Sequence, residues 1–344
     1  MRRQGTVVAL AALVALVAAL DPAGGRGARA QEGASVGSQA VPEVVFSRQL
    51  ARAVATAAPW VVAVRGPGPM VPPRPKNAGL PPRVRSGVVI APGLVVTCAS
   101  TIDVVGPDGV VVVDAAGQAF PARFRGRDLR LRVAILQADG LALPAAQPAA
   151  APRPVGSLAL ALGAPLRDLA IPTATLGIVS ATGHFEGRAE QVDCPLDGSN
   201  IGGALADLEG RVVGVTVHVD ARLGERSGVG FSVSLDRVRA VLDRLAAGDQ
   251  LEPGLLGLVL PKDDEGEAGT GVSVRAVVPG SPAALAGLQT DDRVVGLHGR
   301  PTPDRRAFRE VVADLYAGQR VVLEARRGDE AAPRRFELVV APRQ

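Results

Sequence analysis

The sequence predicts a mostly β protein of more than one domain, and three observations carry that prediction. Short apolar runs alternate with turn signals through most of the chain, at the spacing of sandwich or barrel strands, without the intervening helices of βαβ units. Glycine and proline are abundant, 41 and 28 among 344 residues, which favours turns over long helices. The length also exceeds what one hydrophobic core usually serves, so two domains are expected.

From the N-terminus, Arg2 and Arg3 precede an apolar run from Thr6 to Leu20, and Ala28-Arg29-Ala30 follows. This is the pattern of an export leader, residues 1–30, cleaved before Gln31. The run is about fifteen residues, against roughly twenty for a spanning helix, so retention as a membrane anchor is the lesser reading. Cleavage removes four arginines and one acid, and 38 bases and 34 acids become 34 and 33. The near-neutral remainder offers no clustered basic surface for nucleic acid, and membrane attachment would come only through an uncleaved leader.

Residues 31–45 are small and polar and read as a flexible lead-in. Apolar spacing predicts a short helix from Phe46 to Ala57, closed by Pro59, then a strand from Trp60 to Val64. After a Pro- and Gly-rich loop at 66–84, strands are expected at 86–91, 94–98, 109–114, 119–126, 132–137, 157–162, 174–180, 204–207 and 211–219. A helix from Ser234 to Ala247, ending at Gly248, carries Leu235, Val238, Val241, Leu242 and Leu245 on one face and packs on this β region. A linker at 248–253 leads into an α+β domain, 254–343. Its elements are strands at 256–260, 271–277, 292–297, 319–326 and 334–341, helices at 281–287 and 304–316, and an acidic loop at 262–267.

Cys98 and Cys194 are the two cysteines, so the chain is no disulfide scaffold, and whether they pair depends on a proximity that sequence does not give. With His184, His218 and His298 scattered, no ligand spacing for a metal arises and no cofactor is expected. His184 reads as an exposed loop residue. His218 reads as a strand residue and His298 as a turn residue.

Four fragments carry a resemblance: Ser86-Gly87-Val88-Val89-Ile90-Ala91-Pro92-Gly93-Leu94-Val95-Val96-Thr97-Cys98-Ala99, then Gly126-Arg127-Asp128, then Asp197-Gly198-Ser199-Asn200-Ile201-Gly202-Gly203, then Gly228-Val229-Gly230-Phe231. In this order and spacing the chain resembles the HtrA/Deg family of envelope proteases from about residue 43 to 343. The resemblance implies a trypsin-like double β-barrel over 46–247, followed by one PDZ domain over 254–343.

Carried across residue by residue, the resemblance puts Ser100 where the base histidine stands, Arg132 where the orienting aspartate stands and Ile201 in the nucleophile position. A hydrocarbon has no lone pair to attack a carbonyl, and a hydroxyl lacks a basic site of suitable pKa. A cation at the third position opposes the imidazolium that a restored histidine would form. In the loop that would hold the oxyanion, Gly198, Ser199 and Asn200 precede Ile201, and the Ser199 N–H could still face inward to bind a carboxylate or water. A relocated nucleophile, Ser199 or Cys194, is the alternative that would make the chain an unconventional endopeptidase.

The resemblance also implies a peptide-binding groove in the PDZ domain. Leu255, Leu256, Gly257 and Leu258 match the carboxylate-binding loop, and Phe308, Val311 and Val312 lie on the helix that forms the other wall. The chain is thus expected to be an exported, periplasmic or extracellular pseudoprotease: a chaperone-like or regulatory scaffold that binds peptide C-termini or unfolded envelope proteins, or modulates an active relative. Homotrimers are common in the family, and Phe46 as the only aromatic residue of the N-terminal segment leaves assembly open.

Overall fold

Valine-rich runs pair into two closed barrels in the computed structural model, which describes residues 42–67, 84–149, 153–164, 172–218, 229–261 and 270–343. The expected leader, most of the lead-in, the Pro-rich loop, the acidic loop and Gly228 lie outside these residues. Helix α1 (Pro42–Ala57) begins four residues earlier than its spacing predicts and buries Ala53 and Ala57. Trp60 closes a short 3-10 turn ahead of the first strand.

The first barrel comprises β1 (Val61–Arg65), β2 (Val84–Ala91), β3 (Leu94–Cys98), β4 (Val110–Val113), β5 (Ala119–Asp128) and β6 (Val133–Ala138), with helix α2 (Ala99–Val105) between β3 and β4. Its order, β5-β4-β1-β2-β3-β6, closes because β5 also pairs with β6, from Ala122 opposite Ala138 to Asp128 opposite Val133. The second barrel comprises β7 (Leu158–Gly163), β8 (Thr173–Gly183), β9 (Ala189–Val192), β10 (Ala204–Ala206), β11 (Val212–Val217) and β12 (Gly230–Ser234), with the one-turn helix α3 (His184–Gly187) after β8. One core runs through both barrels, from Val88, Val96 and Ile135 to Leu162, Val215 and Phe231.

Helix α4 (Leu235–Ala247) forms where its apolar face predicts, capped by the Ser234 side chain and stopped at Gly248 in the left-handed region. Val238 and Leu245 are fully buried against the barrels. Gly126 explains its own place in the motif: a Cβ there would stand 2.4 Å from Asp249 O and 2.6 Å from Leu245 O, so only glycine lets the end of α4 approach β5. Strand β13 (Gln250–Leu251) then adds beside β5 in parallel.

The C-terminal domain holds β14 (Gly254–Leu255), β15 (Leu258–Val259), β16 (Val272–Ser273), β17 (Ala276–Val277), helix α5 (Pro282–Leu285), β18 (Arg293–Leu297), β19 (Arg300–Pro301), helix α6 (Arg305–Ala313), β20 (Arg320–Arg326), β21 (Arg334–Val339) and β22 (Ala341–Pro342). Its separate core gathers Leu256, Val272, Val294, Leu297, Phe308, Val311, Leu323 and Leu338.

A polar seam ties this domain to the first barrel. Asp128 is fully buried. Its Oδ1 accepts from the Arg130 and Leu131 amides, each at 2.8 Å, and its Oδ2 accepts from the Tyr316 hydroxyl at 2.6 Å. The Arg130 guanidinium lies 4.0 Å over the Tyr316 ring and donates to the tyrosine oxygen and, at 2.9 Å, to Ala313 O at the end of α6. Arg188 donates to the same carbonyl at 2.8 Å. Two cations on the carboxyl end of a helix are favourably placed toward its dipole.

Candidate functional site

The segments bearing Ser100, Arg132 and Ile201 converge where the two barrels meet. The Ala99 amide donates to Arg132 O at 2.8 Å, and the Ser86 amide donates to Ile201 O at 3.1 Å. Gly202, at φ +84°, wedges under β2 and β3, where a Cβ would stand 2.3 Å from Ser86 O and 2.4 Å from Thr97 Oγ1. The loop therefore has the close seating that the motif implies, although its side chains are different in kind.

Ile201 is buried within the shared core. The Ser100 hydroxyl contacts Cys98 Sγ at 3.1 Å. Arg132 adopts a left-handed φ of 59° and points its guanidinium 5.8 Å over the Phe185 ring. Phe185 stacks edge-on at 5.2 Å with Phe231, and so does His184 at 5.5 Å. His184 is thus part of an aromatic cluster rather than an exposed loop residue, because α3 folds it back onto β12. His218 follows β11 and reaches Cys98 Sγ with its backbone amide at 3.4 Å. Among the described residues its ring makes no hydrogen bond.

The anion loop is closed by its own carboxylate. Asp197 Oδ1 accepts from the Ser199 amide at 2.7 Å and from the Ser199 hydroxyl at 2.5 Å. Asp197 O accepts from the amides of Asn200 at 3.1 Å and Ile201 at 3.3 Å. The expectation that the Ser199 N–H remains available is corrected here: both donors that would meet an oxyanion, at 199 and 201, are already bonded within the loop. The arrangement is an Asx-turn, in which the carboxylate takes the backbone N–H two residues on. The Arg85 guanidinium covers Gly198 so closely that a Cβ there would lie 2.4 Å from its nitrogen.

Both cysteines are buried free thiols, so the Cys98 to Cys194 pairing left open by the sequence is not made. Cys98 ends a strand of the first barrel beside Ser100. Cys194 follows β9 in the second, where Sγ contacts Ala159 O at 3.5 Å. Burial, then the neighbouring Asp193 carboxylate, pushes the Cys194 thiol up to about 11. A thiol that stays protonated at neutral pH is a poor nucleophile. A thiol-reactive chromophore should find two thiols in the denatured, unreduced protein and none promptly in the native one. Loss of both in the denatured sample would establish a disulfide instead.

In the C-terminal domain, Gly257 adopts φ +83°, and a Cβ there would lie 2.1 Å from Ser281 Cβ, so this turn requires glycine. Leu256 O accepts from Ala283 N at 3.0 Å and Gly257 O from Val278 N at 2.9 Å. In a trans peptide the N–H opposes the carbonyl of the same unit, so the Gly257 and Leu258 amides turn to the opposite side. Strand β15 pairs with β17 along one edge, and its other edge is unpaired among the described residues. Leu258 and Val312 are half-buried on the rim of the domain core, and Leu255 is exposed. Leu256, Phe308 and Val311 are instead core residues, at 3%, 4% and 2% exposure. For those three the expected groove contact is corrected: α6 turns its Phe308–Val311 face inward, and Val312 on the next face is the one left at the rim.

Comparison with known proteins agrees with this geometry. Residues 85–215 match the trypsin-like peptidase domain family and residues 232–335 the PDZ domain family. HhoA of Synechocystis is 28% identical over 305 residues, 77% of this chain and 73% of that protein. The periplasmic serine endoprotease DegP of Escherichia coli K12 is 31% identical over 257 residues, 69% of this chain, and the chain spans 53% of its length. Among solved structures, the HtrA-type protease AlgW with a decapeptide superposes with a TM-score of 0.65 at 25% identity, covering 86% of this chain and 99% of that one. With two barrels and a PDZ domain in that order, and both parts matched along one sequence, the chain belongs to the HtrA/Deg family.

Proposed function

We propose that this protein is an exported pseudoprotease of its family, which binds polypeptides through its PDZ domain and does not cleave them. The observation that carries the reading is the closed loop. Ile201 offers no nucleophile, and the two amides that would stabilise a developing oxyanion are taken by Asp197. Ser100 and Arg132 supply neither a base nor an anion to orient one. The enzyme alternative fits less well, because the Ser199 hydroxyl donates to Asp197 and the Cys194 thiol is held protonated.

Binding is supported by the loop at Leu255 to Leu258. Its outward amides at Gly257 and Leu258 suit a terminal carboxylate, and the unpaired edge of β15 suits an added peptide strand. The ligands that fit are free C-termini of unfolded or envelope proteins. Export rests on the leader pattern and on the periplasmic relatives. The domain limits, 46–247 for the barrels and 254–343 for the PDZ domain, belong to the same reading, as does modulation of an active relative.

The full chain should resist labelling by a fluorophosphonate probe and leave unfolded casein intact, while binding peptides with apolar free C-termini and losing them on amidation. Labelling that disappears in Ser199→Ala would overturn the non-enzymatic reading. Affinity indifferent to amidation would overturn the groove.

A further inference from the structure

We infer that the groove selects C-terminal peptides with an acidic side chain two residues before the apolar end, and that Arg309 reads it. The inference rests on the carboxylate-binding reading above and adds a second specificity element to it.

The helix α6 presents three faces. Phe308 and Val311 are buried in the core. On one flank, Asp314, just past the helix end, pairs with Arg300 at 3.0 Å and lies 3.6 Å from Arg130, which turns that flank toward the barrel seam. On the other, Arg305, Arg309 and Val312 recur at i, i+4 and i+7 and so form one stripe. Val312 packs on the same core rim as Leu258, which sets this stripe across from the unpaired edge of β15.

The direction of the stripe follows from its ends. The carboxyl end of the helix lies beside the carboxylate loop, since Leu315 O accepts the Gly254 amide at 3.0 Å. Val312 therefore faces the terminal side chain of a bound peptide, and Arg309 stands about 4.5 Å further along the groove at the helical rise per residue. Helical side chains lean toward the N-terminus, which carries the Arg309 guanidinium further in the same direction. An extended peptide advances about 3.4 Å per residue and alternates its faces, so the next side chain on the helix side is two residues upstream, about 7 Å along. Arg309 reaches that level.

Its charge is uncommitted. Arg306 is paired with Glu310 at 3.0 Å, and Arg305 is already engaged. Arg309 is exposed and forms no ion pair among the described residues. A carboxylate is the group that this cation would recognise, with bidentate geometry open to it.

The test uses the full chain and fluorescein-labelled decapeptides ending in free valine, with Glu, Gln or Lys two residues before the end. The Glu peptide should bind about three- to tenfold more tightly than the Gln peptide at low ionic strength, with the gap narrowing in salt as expected of a rim ion pair. Arg309→Ala should erase the gap between the Glu and Gln peptides, and Arg309→Glu should turn the preference toward Lys. Equal affinities for Glu and Gln peptides, both abolished by amidation, would overturn this inference and leave the carboxylate groove standing. Binding that ignores amidation would overturn the groove itself.

Discussion

Asp292→Ala is expected to take a large part of the PDZ domain's stability while leaving that of the barrels unchanged. Asp292 is 1% exposed. It holds Arg327 by two bonds, Nε to Oδ1 at 2.7 Å and Nη2 to Oδ2 at 2.8 Å, and accepts from the Gln289 amide at 2.9 Å. Arg327 also donates to Gly287 O at 2.9 Å, so the pair ties β20's end to the turn before β18. Removing one partner of a buried ion pair costs about 3 to 5 kcal/mol, and the 27% exposure of the Arg327 side chain puts this pair at the lower figure. A domain of this size has about 5 to 13 kcal/mol in all. Hydrogen exchange in β18, β20 and β21 should rise by orders of magnitude in the variant and stay unchanged in β1 to β6; retained protection in β18 would overturn the assignment.

The same pair gives the domain an acid limit. Burial pushes the Asp292 carboxyl up, but the Arg327 hydrogen bonds and charge, with the Gln289 amide, outweigh it and hold the group below the ordinary carboxylate range. Its folded pKa is depressed, so its contribution is complete above the unfolded value and is lost as pH falls below it. Asp292→Asn at neutral pH should therefore reproduce the loosening that the native domain shows in acid.

Gly202→Ala is expected to destabilise the barrel region by about 2 to 4 kcal/mol, through a left-handed backbone and a collision. Ser86 O and Thr97 Oγ1 leave no room for the methyl group, and Cys98 N stands 3.0 Å from it. Gly156 provides the control, because it has φ +89° with nothing within 4 Å of the added atom. Gly156→Ala should cost only the backbone part, about 1 kcal/mol. Urea midpoints separate the two contributions, and equal shifts in both variants would show that the seating of the loop under β2 and β3 is looser than its geometry.

Most strands were legible because Val-rich runs bounded by turn residues leave few other choices. Two of the barrel strands escaped, β9 and β12, which are Ala-Glu-Gln-Val and Gly-Phe-Ser-Val-Ser, whose polar residues mask the strand pattern. Ser232 is buried even so, since the barrel closes over it. Helix α2 escaped because its seven residues directly continue a strand. Helix α4 was legible in full, from its capping serine to its terminal glycine. The site was legible at the level of which segments converge, and less so at the level of which atoms point where. Sequence brought Ser100, Arg132 and Ile201 to one loop cluster, but Asp197 closing the anion loop is a matter of rotamer. Likewise the apolar spacing of α6 identified Phe308, Val311 and Val312 together, and only packing decided that two turn inward.

The seam between barrel and PDZ domain has a practical side. Tyr316 is the only tyrosine of the chain and Trp60 the only tryptophan. Burial, and then Asp128, push the Tyr316 phenol well above its ordinary ionisation range, whereas Trp60 sits in the barrel core. The two chromophores are thus optical reporters native to the sequence. Phenolate absorbance during an alkaline titration registers whether the seam is shut, and indole fluorescence registers whether the barrels are folded, with no label added.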